Sequence, residues 1–183
     1  VKPVIIGLVG KPQVGKTTIA KYLSSAFDYK WLRFSDGLKK MLMLGLGLLQ
    51  EEVDGALKDK ACEKLGGKTP RHAMRTLGTE WGRELVYPDI WVKCVEREMK
   101  VSSHTRFVID DVRFVNELKW LQSMTDYRIL MIKVVRETGR EDKHVSDTQL
   151  DHFNMYDYVI ANKGESLEEL YKEVTRILVK ENI

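Results

Sequence analysis

The octapeptide Gly10-Lys11-Pro12-Gln13-Val14-Gly15-Lys16-Thr17 limits the fold of this chain more than any other segment. Its spacing is G-x-x-x-x-G-K-T. It follows an apolar, β-branched run, Val4–Val9, and precedes the amphipathic start Thr18-Ile19-Ala20-Lys21-Tyr22-Leu23. Strand, glycine-rich loop and helix in that order form the setting in which this pattern cradles phosphate. Gly10 and Gly15 permit backbone angles that a Cβ would forbid, so main-chain N–H groups can turn toward an anion. A helix beginning near Lys16 adds its positive dipole end. The pattern assigns Lys16 to the β- and γ-phosphates of a nucleoside triphosphate and the Thr17 hydroxyl to Mg²⁺. Gly10, Lys11, Gln13, Val14, Gly15 and Thr18 complete the expected triphosphate-binding loop.

Around this loop the hydrophobic pattern alternates between strand and helix periods. Strands are expected at Val4–Val9, Lys30–Phe34, Arg106–Asp110, Arg128–Val135 and Tyr156–Ile160. Helices are expected at Lys16–Phe27, Asp36–Leu48, Thr69–Val86, Asp89–Lys100, Val115–Met124 and Leu167–Val179. Such alternation implies an α/β fold with a parallel sheet covered by helices. The long, mostly helical stretch between the second and third strands reads as an insertion carrying a substrate. At 183 residues with 43% hydrophobic content, the chain makes one domain with an inserted lobe. Thirty basic against 27 acidic residues leave a net charge of only +3, and no dense Lys/Arg run with interleaved aromatics points to nucleic acid. Cys62 and Cys94 fit neither a four-ligand zinc site nor a disulfide framework. No secretory signal precedes the first strand and no apolar run reaches membrane-spanning length, so a cytoplasmic location is expected, with no membrane partner.

Two further groups carry chemistry. The third strand ends in Asp110-Asp111, followed by Val112-Arg113. A carboxylate at the end of a strand neighbouring the phosphate loop orients Mg²⁺ or its water shell. The second group is Thr69–Arg83. Taken as one α-helix, it puts Met74, Leu77, Trp81 and Leu85 on a core stripe and Arg71, Arg75, Gly78 and Gly82 on another. Two arginines one turn apart, beside glycines that leave the surface open, suit a planar ligand carrying a phosphate.

Thr69-Pro70-Arg71 with Leu77-Gly78-Thr79-Glu80-Trp81-Gly82-Arg83, then Pro88-Asp89-Ile90-Trp91-Val92, resembles the phage-type deoxynucleoside monophosphate kinases. The resemblance extends to Phe34-Ser35-Asp36-Gly37-Leu38-Lys39, Asp111 to Glu117, His144 to Asp147 and Asp157 to Asn162. It implies a P-loop nucleotide-kinase fold: a parallel five-stranded sheet flanked by helices, with a core at 1–35 and 104–183, a helical substrate-binding insertion at about 36–103 and a short lid at about 136–147. The implied reaction moves the γ-phosphate of ATP, with Mg²⁺, to a deoxynucleoside 5′-monophosphate for DNA precursor synthesis. In a phage, the place of action would be the host cytoplasm.

Under this resemblance Lys16, Arg75, Asp111, Arg113 and Arg136 are the catalytic candidates. Arg136, Arg140, Asn162 and Lys163 join the loop in binding ATP, and Thr17 and Asp111 hold the metal. Ser35, Asp36, Lys39, Arg71, Arg75, Gly78, Thr79, Trp81, Arg83, Trp91, Asp111 and Arg113 are the substrate-binding candidates. Trp81 and Trp91 are the residues offered for base stacking, with Trp81 drawn toward the core by its spacing. His144 reads as a helix-start or packing residue. A homodimer is left open.

Within enzymes, the alternative is another small-molecule P-loop kinase, for a nucleoside or a coenzyme precursor. A GTPase switch is disfavoured. Asn162-Lys163-Gly164-Glu165 misses the guanine-reading N-K-x-D motif at its last position, and Asp110-Asp111-Val112-Arg113 replaces D-x-x-G. A plain P-loop ATPase would not need the arginine–glycine helix or an arginine lid.

Overall fold

The computed structural model describes residues 2–136, 149–150, 152–153, 156–164 and 166–183. Its chain divides into two compact units, Val1–Arg33 with Val101–Ile183, and Phe34–Lys100.

The first unit is an α/β sheet. Strands β1 (Val4–Val9), β2 (Lys30–Leu32), β3 (Arg106–Ile109), β4 (Arg128–Val135) and β5 (Tyr158–Ala161) lie in the order β2-β3-β1-β4-β5. Every recorded pairing is parallel. β1 is buried along its whole length, as expected of a central strand covered on both faces. Val4, Ile6 and Leu8 pack with Ile19, Ala20 and Leu23 of α1 (Lys16–Phe27) and with Leu170, Val174, Ile177 and Leu178 of the C-terminal helix Leu167–Glu181. On the other face, Gly7 leaves room for Met131 and for Leu121 of the helix Val115–Ser123. A Cβ at Gly7 would lie 2.6 Å from the Met131 sulfur. The C-terminal helix is capped by Ser166, whose Oγ accepts from the N–H groups of Glu168 and Glu169 at 3.0 and 3.3 Å. The strand order reverses direction at β1, whose neighbours β3 and β4 lead to opposite edges. The carboxyl end of such a strand is where open α/β sheets gather ligands, and there the glycine-rich loop begins.

The second unit is helical. It holds α2 (Asp36–Leu46), α3 (Gln50–Val53), two 3₁₀ turns at Ala56–Asp59 and Glu63–Leu65, α4 (Pro70–Thr76), a π-helix at Leu77–Val86, and α5 (Ile90–Lys100). The helices Val115–Ser123 and Leu167–Glu181 of the first unit are α6 and α7. The π-helix corrects the expectation of one α-helix through Val86. Its i→i+5 bonding, seen where the Tyr87 N–H meets the Gly82 carbonyl at 2.9 Å, turns successive residues onto different faces from those of a 3.6-residue period. Among the described residues, no helix is long and apolar enough to cross a membrane.

Candidate active site

In the first unit the phosphate loop has the backbone its glycines foretold. Gly10 and Gly15 hold φ of 147° and 111°. A Cβ on Gly10 would strike the Val134 carbonyl, and one on Gly15 would lie 2.6 Å from the Asn162 amide nitrogen. Gln13 also sits at positive φ, 66°, a strained angle for a residue with a side chain. The Lys16 ammonium is buried, and it donates to the carbonyls of Gly10 and Lys11 at 2.6 and 2.7 Å.

Thr17, at the start of α1, donates from Oγ1 to Oδ2 of Asp110 at 2.6 Å. Oδ1 of the same carboxylate accepts from the Trp31 indole N–H at 2.8 Å. Asp110 is only 3% exposed, whereas Asp111 is half-buried. Burial pushes the Asp110 carboxyl above the usual carboxylate range and the charge of Asp111 adds to this; the hydrogen bonds from Thr17 and Trp31 and the charge of Arg33 act in the opposite sense. The sequence favoured Asp111 for the metal, but the structure joins Thr17 to Asp110.

Asn162 buttresses this loop. Its Nδ2 donates to the Val14 carbonyl at 2.8 Å, and its Oδ1 accepts from the Gly164 N–H at 3.0 Å. The Arg136 guanidinium lies against Gly164, where a Cβ would collide with it. Lys163 is exposed beside them. Arg113 begins the turn into α6, where the buried Glu117 carboxylate accepts from the N–H groups of Arg113 and Phe114 at 2.8 and 3.0 Å. Lys11 and Gln13 are exposed and Thr18 is half-buried. Arg140 and His144 lie outside the described residues, as does Glu165.

In the second unit, Thr69 caps α4, its hydroxyl accepting from the His72 N–H at 3.1 Å, and Pro70 opens the helix. Arg71 is forked by Asp59: Nε meets Oδ1 and Nη2 meets Oδ2, the latter at 2.8 Å. Lys39 meets Asp54 at 2.6 Å. Lys58, which the sequence did not single out, belongs to the same charged group. Its ammonium is held below the usual lysine range, first by burial and then by the positive charge of Arg71. Arg75 is half-buried one turn beyond Arg71, and Ser35 and Asp36 begin α2.

The π-helix reverses the expected roles of the tryptophans and glycines. Trp81 and Leu85, assigned to a core stripe, are 38% and 79% exposed. The buried positions are Gly78, Thr79 and Gly82. Trp91 is 2% exposed, and its indole N–H donates to the Gly78 carbonyl at 2.8 Å. A Cβ at Gly82 would lie 2.8 Å from the Trp91 ring. Gly82 therefore admits the Trp91 indole, and at Gly78 a Cβ would lie 3.0 Å from Leu38 Cδ2, so both glycines face packed side chains rather than open space. Burial of Trp91 removes it as a base-stacking residue, and exposure of Trp81 leaves that position available. Arg83 turns back on its own helix, Nη1 donating to the Gly78 carbonyl at 2.6 Å.

A family profile for deoxynucleotide monophosphate kinases matches residues 56–174, from the Lys58–Arg71 group to α7. The chain belongs to the deoxynucleotide monophosphate kinase family. It is 29% identical over 185 aligned residues to a candidate deoxynucleotide monophosphate kinase of Acanthamoeba polyphaga mimivirus, covering 93% of this chain and 94% of that relative. A deoxynucleoside-5′-monophosphate kinase of Escherichia phage T5 is 36% identical over 111 residues, covering 58% of this chain and 44% of the phage protein. A crystal structure of TT1252 from Thermus thermophilus shares the fold, with a TM-score of 0.53 and 18% identity over 98% of each chain. As a member of the family, the protein is a phosphotransferase that phosphorylates deoxynucleoside monophosphates. ATP is the phosphoryl donor that a kinase family implies.

Among the described residues no group of three or more His, Cys, Asp and Glu side chains could hold a metal ion. Mg²⁺ at a phosphate loop takes one or two protein oxygens and fills its shell with water and phosphate. The Thr17 hydroxyl and the Asp110 carboxylate are such oxygens, already 2.6 Å apart.

Proposed function

We propose that this kinase transfers the γ-phosphate of ATP to a deoxynucleoside 5′-monophosphate, with Mg²⁺ held by Thr17 and Asp110. The observation that carries the reading is the hydrogen bond from Thr17 to the buried Asp110 carboxylate beside a G-x-x-x-x-G-K-T loop. Mg²⁺ would neutralise charge on the phosphate oxygens. Lys16 exchanges the carbonyls of Gly10 and Lys11 for phosphate oxygens, which are stronger acceptors because they are charged. Asn162 keeps the loop backbone in place through Val14. Arg113 and Arg136 draw negative charge from the transferring group, and positioning and charge neutralisation carry most of such a reaction.

Arg71 and Arg75 bind the acceptor phosphate. The fork between Arg71 and Asp59 supports this role, because a guanidinium that fits a carboxylate edge-on presents the same two donors to phosphate. Lys39 adds positive charge on the same unit, and the exposed Trp81 ring stacks the base. The helical stretch 36–103 serves as the substrate-binding insertion; of the expected lid at 136–147, residues 137–147 lie outside the described residues. Calorimetric titration tests the acceptor site. Arg75→Ala should weaken deoxynucleoside monophosphate binding by tenfold or more, since a charged hydrogen bond contributes about 1.5–3 kcal/mol. A non-hydrolysable ATP analogue should bind it as it binds wild type. Equal losses for both ligands, or none for the monophosphate, would refute the assignment.

A further inference from the structure

Asp110 is held at both oxygens, and only one of its two partners belongs to the phosphate loop. Thr17 supplies the first, at 2.6 Å; the second is the Trp31 indole N–H, at 2.8 Å. Trp31 comes from β2, 79 residues away in sequence, and no motif points to it. Its backbone is in register with Val108, so the ring reaches two residues along the neighbouring strand to Asp110. The indole N–H is a donor only, and a carboxylate that accepts two donors is favoured in its ionised form. Arg33, two residues further on, lies over the Trp31 ring at 4.9 Å from its centroid. That cation–π contact holds the ring at an angle that aims its N–H at the carboxylate.

We infer that Trp31 is a positioning residue for the metal side of this site, fixing the Asp110 carboxylate through its indole N–H while Arg33 fixes the indole. The inference rests on the proposed reading of Asp110 as the Mg²⁺-side carboxylate. Partners that orient a metal-binding carboxylate typically change metal affinity by about 10- to 100-fold when removed. A residue that merely filled space beside β3 would have no reason to act on the metal selectively.

The test is calorimetric titration of ADP with Mg²⁺ and, separately, with EDTA, for wild type, Trp31→Phe, Trp31→His and Asp110→Asn. Trp31→Phe keeps an aromatic ring and removes the donor. It should lose about tenfold or more of the affinity gained from Mg²⁺, with ADP binding in EDTA unchanged. In turnover it should lower kcat and raise the Mg²⁺ needed for half-saturation, leaving KM for the monophosphate as in wild type. Trp31→His, which keeps a ring N–H, should recover part of the loss. If Trp31→Phe keeps the whole Mg²⁺ gain while Asp110→Asn loses it, the inference is overturned and the Asp110 reading stands. If neither loses it, the Asp110 reading falls and takes the inference with it. Should Trp31→Phe not fold, the wild-type protein answers through its indole protons. The one indole N–H resonance that Asp110→Asn shifts must also move when Mg²⁺ is added to the ADP-loaded protein; a stationary resonance overturns the inference.

Discussion

Replacing Gly82 by alanine should destabilise this protein, although the same change in most helices stabilises. An exposed Gly→Ala change inside an α-helix gains about 1 kcal/mol. At Gly82 the added methyl would lie 2.8 Å from the Leu77 carbonyl oxygen, 2.8 Å from Trp91 Cζ2 and 3.0 Å from Trp91 Cε2. Carbon atoms prefer separations of about 3.5–4.0 Å, so the ring contacts overlap by roughly half an ångström or more. Neither neighbour yields readily. Leu77 presents backbone, and Trp91 is buried to 2% exposure with its N–H committed to the Gly78 carbonyl. Overpacking of this kind costs about 1–3 kcal/mol. In a chain of this size each kcal/mol moves Tm by roughly 2–4 °C, so a fall of about 2–12 °C is expected in a thermal melt followed by circular dichroism. Gly45, in α2, is the matched control: it is exposed, a methyl added there would meet nothing within 4 Å, and changing it to alanine should raise Tm. A Gly82→Ala protein as stable as wild type, or more so, would refute the packing argument for the π-helix.

Three other outcomes follow from the site. Lys16→Ala should cut turnover by roughly a hundred- to a thousandfold, the loss of one preorganised charge contact, with an unchanged melt; steady-state kinetics and circular dichroism check both halves. Asp110→Asn should stabilise the fold while damaging turnover. A folded-state pKa raised above the unfolded value means that stability falls as pH rises through that interval, and the penalty persists at neutral pH. The amide can keep both contacts, its oxygen facing Trp31 and its nitrogen facing a rotated Thr17 hydroxyl, so the variant should be more stable than wild type in urea unfolding at pH 7. That gain should shrink near about pH 4; a variant no more stable at pH 7 contradicts the assignment. Asn162→Ala should weaken ATP-analogue binding and leave monophosphate binding intact in calorimetry, because its amide holds the Val14 carbonyl of the loop.

The sheet was legible because its strands carry apolar runs whose period and flanking turns leave little choice, and the bounds of β1, α1 and β4 agree with the pattern residue for residue. The choice between Asp110 and Asp111 was not. Val108 and Ile109 are both fully buried, so β3 lacks the in–out alternation that would tell which following side chain faces Thr17. Trp31 was missed because its contact to Asp110 spans two strands, and local periodicity carries no information about that distance. The tryptophan roles were reversed for a different reason. A stripe drawn at 3.6 residues per turn through Met74, Leu77, Trp81 and Leu85 presumes an α-helix, and the π-helix from Leu77 onward breaks that stripe. The glycine pair did signal close approaches, but they come from the Trp91 ring at Gly82 and from the Leu38 side chain at Gly78.

The central claim is that this chain moves the terminal phosphate of ATP onto a deoxynucleoside monophosphate at the loop that holds Lys16. Incubation with ATP labelled in its γ-phosphate and each deoxynucleoside monophosphate in turn, followed by separation of the nucleotides, tests it directly. The account predicts label in a deoxynucleoside diphosphate, dependent on Mg²⁺ and lost in Lys16→Ala. Label released as inorganic phosphate at the same rate with and without the monophosphate would contradict it.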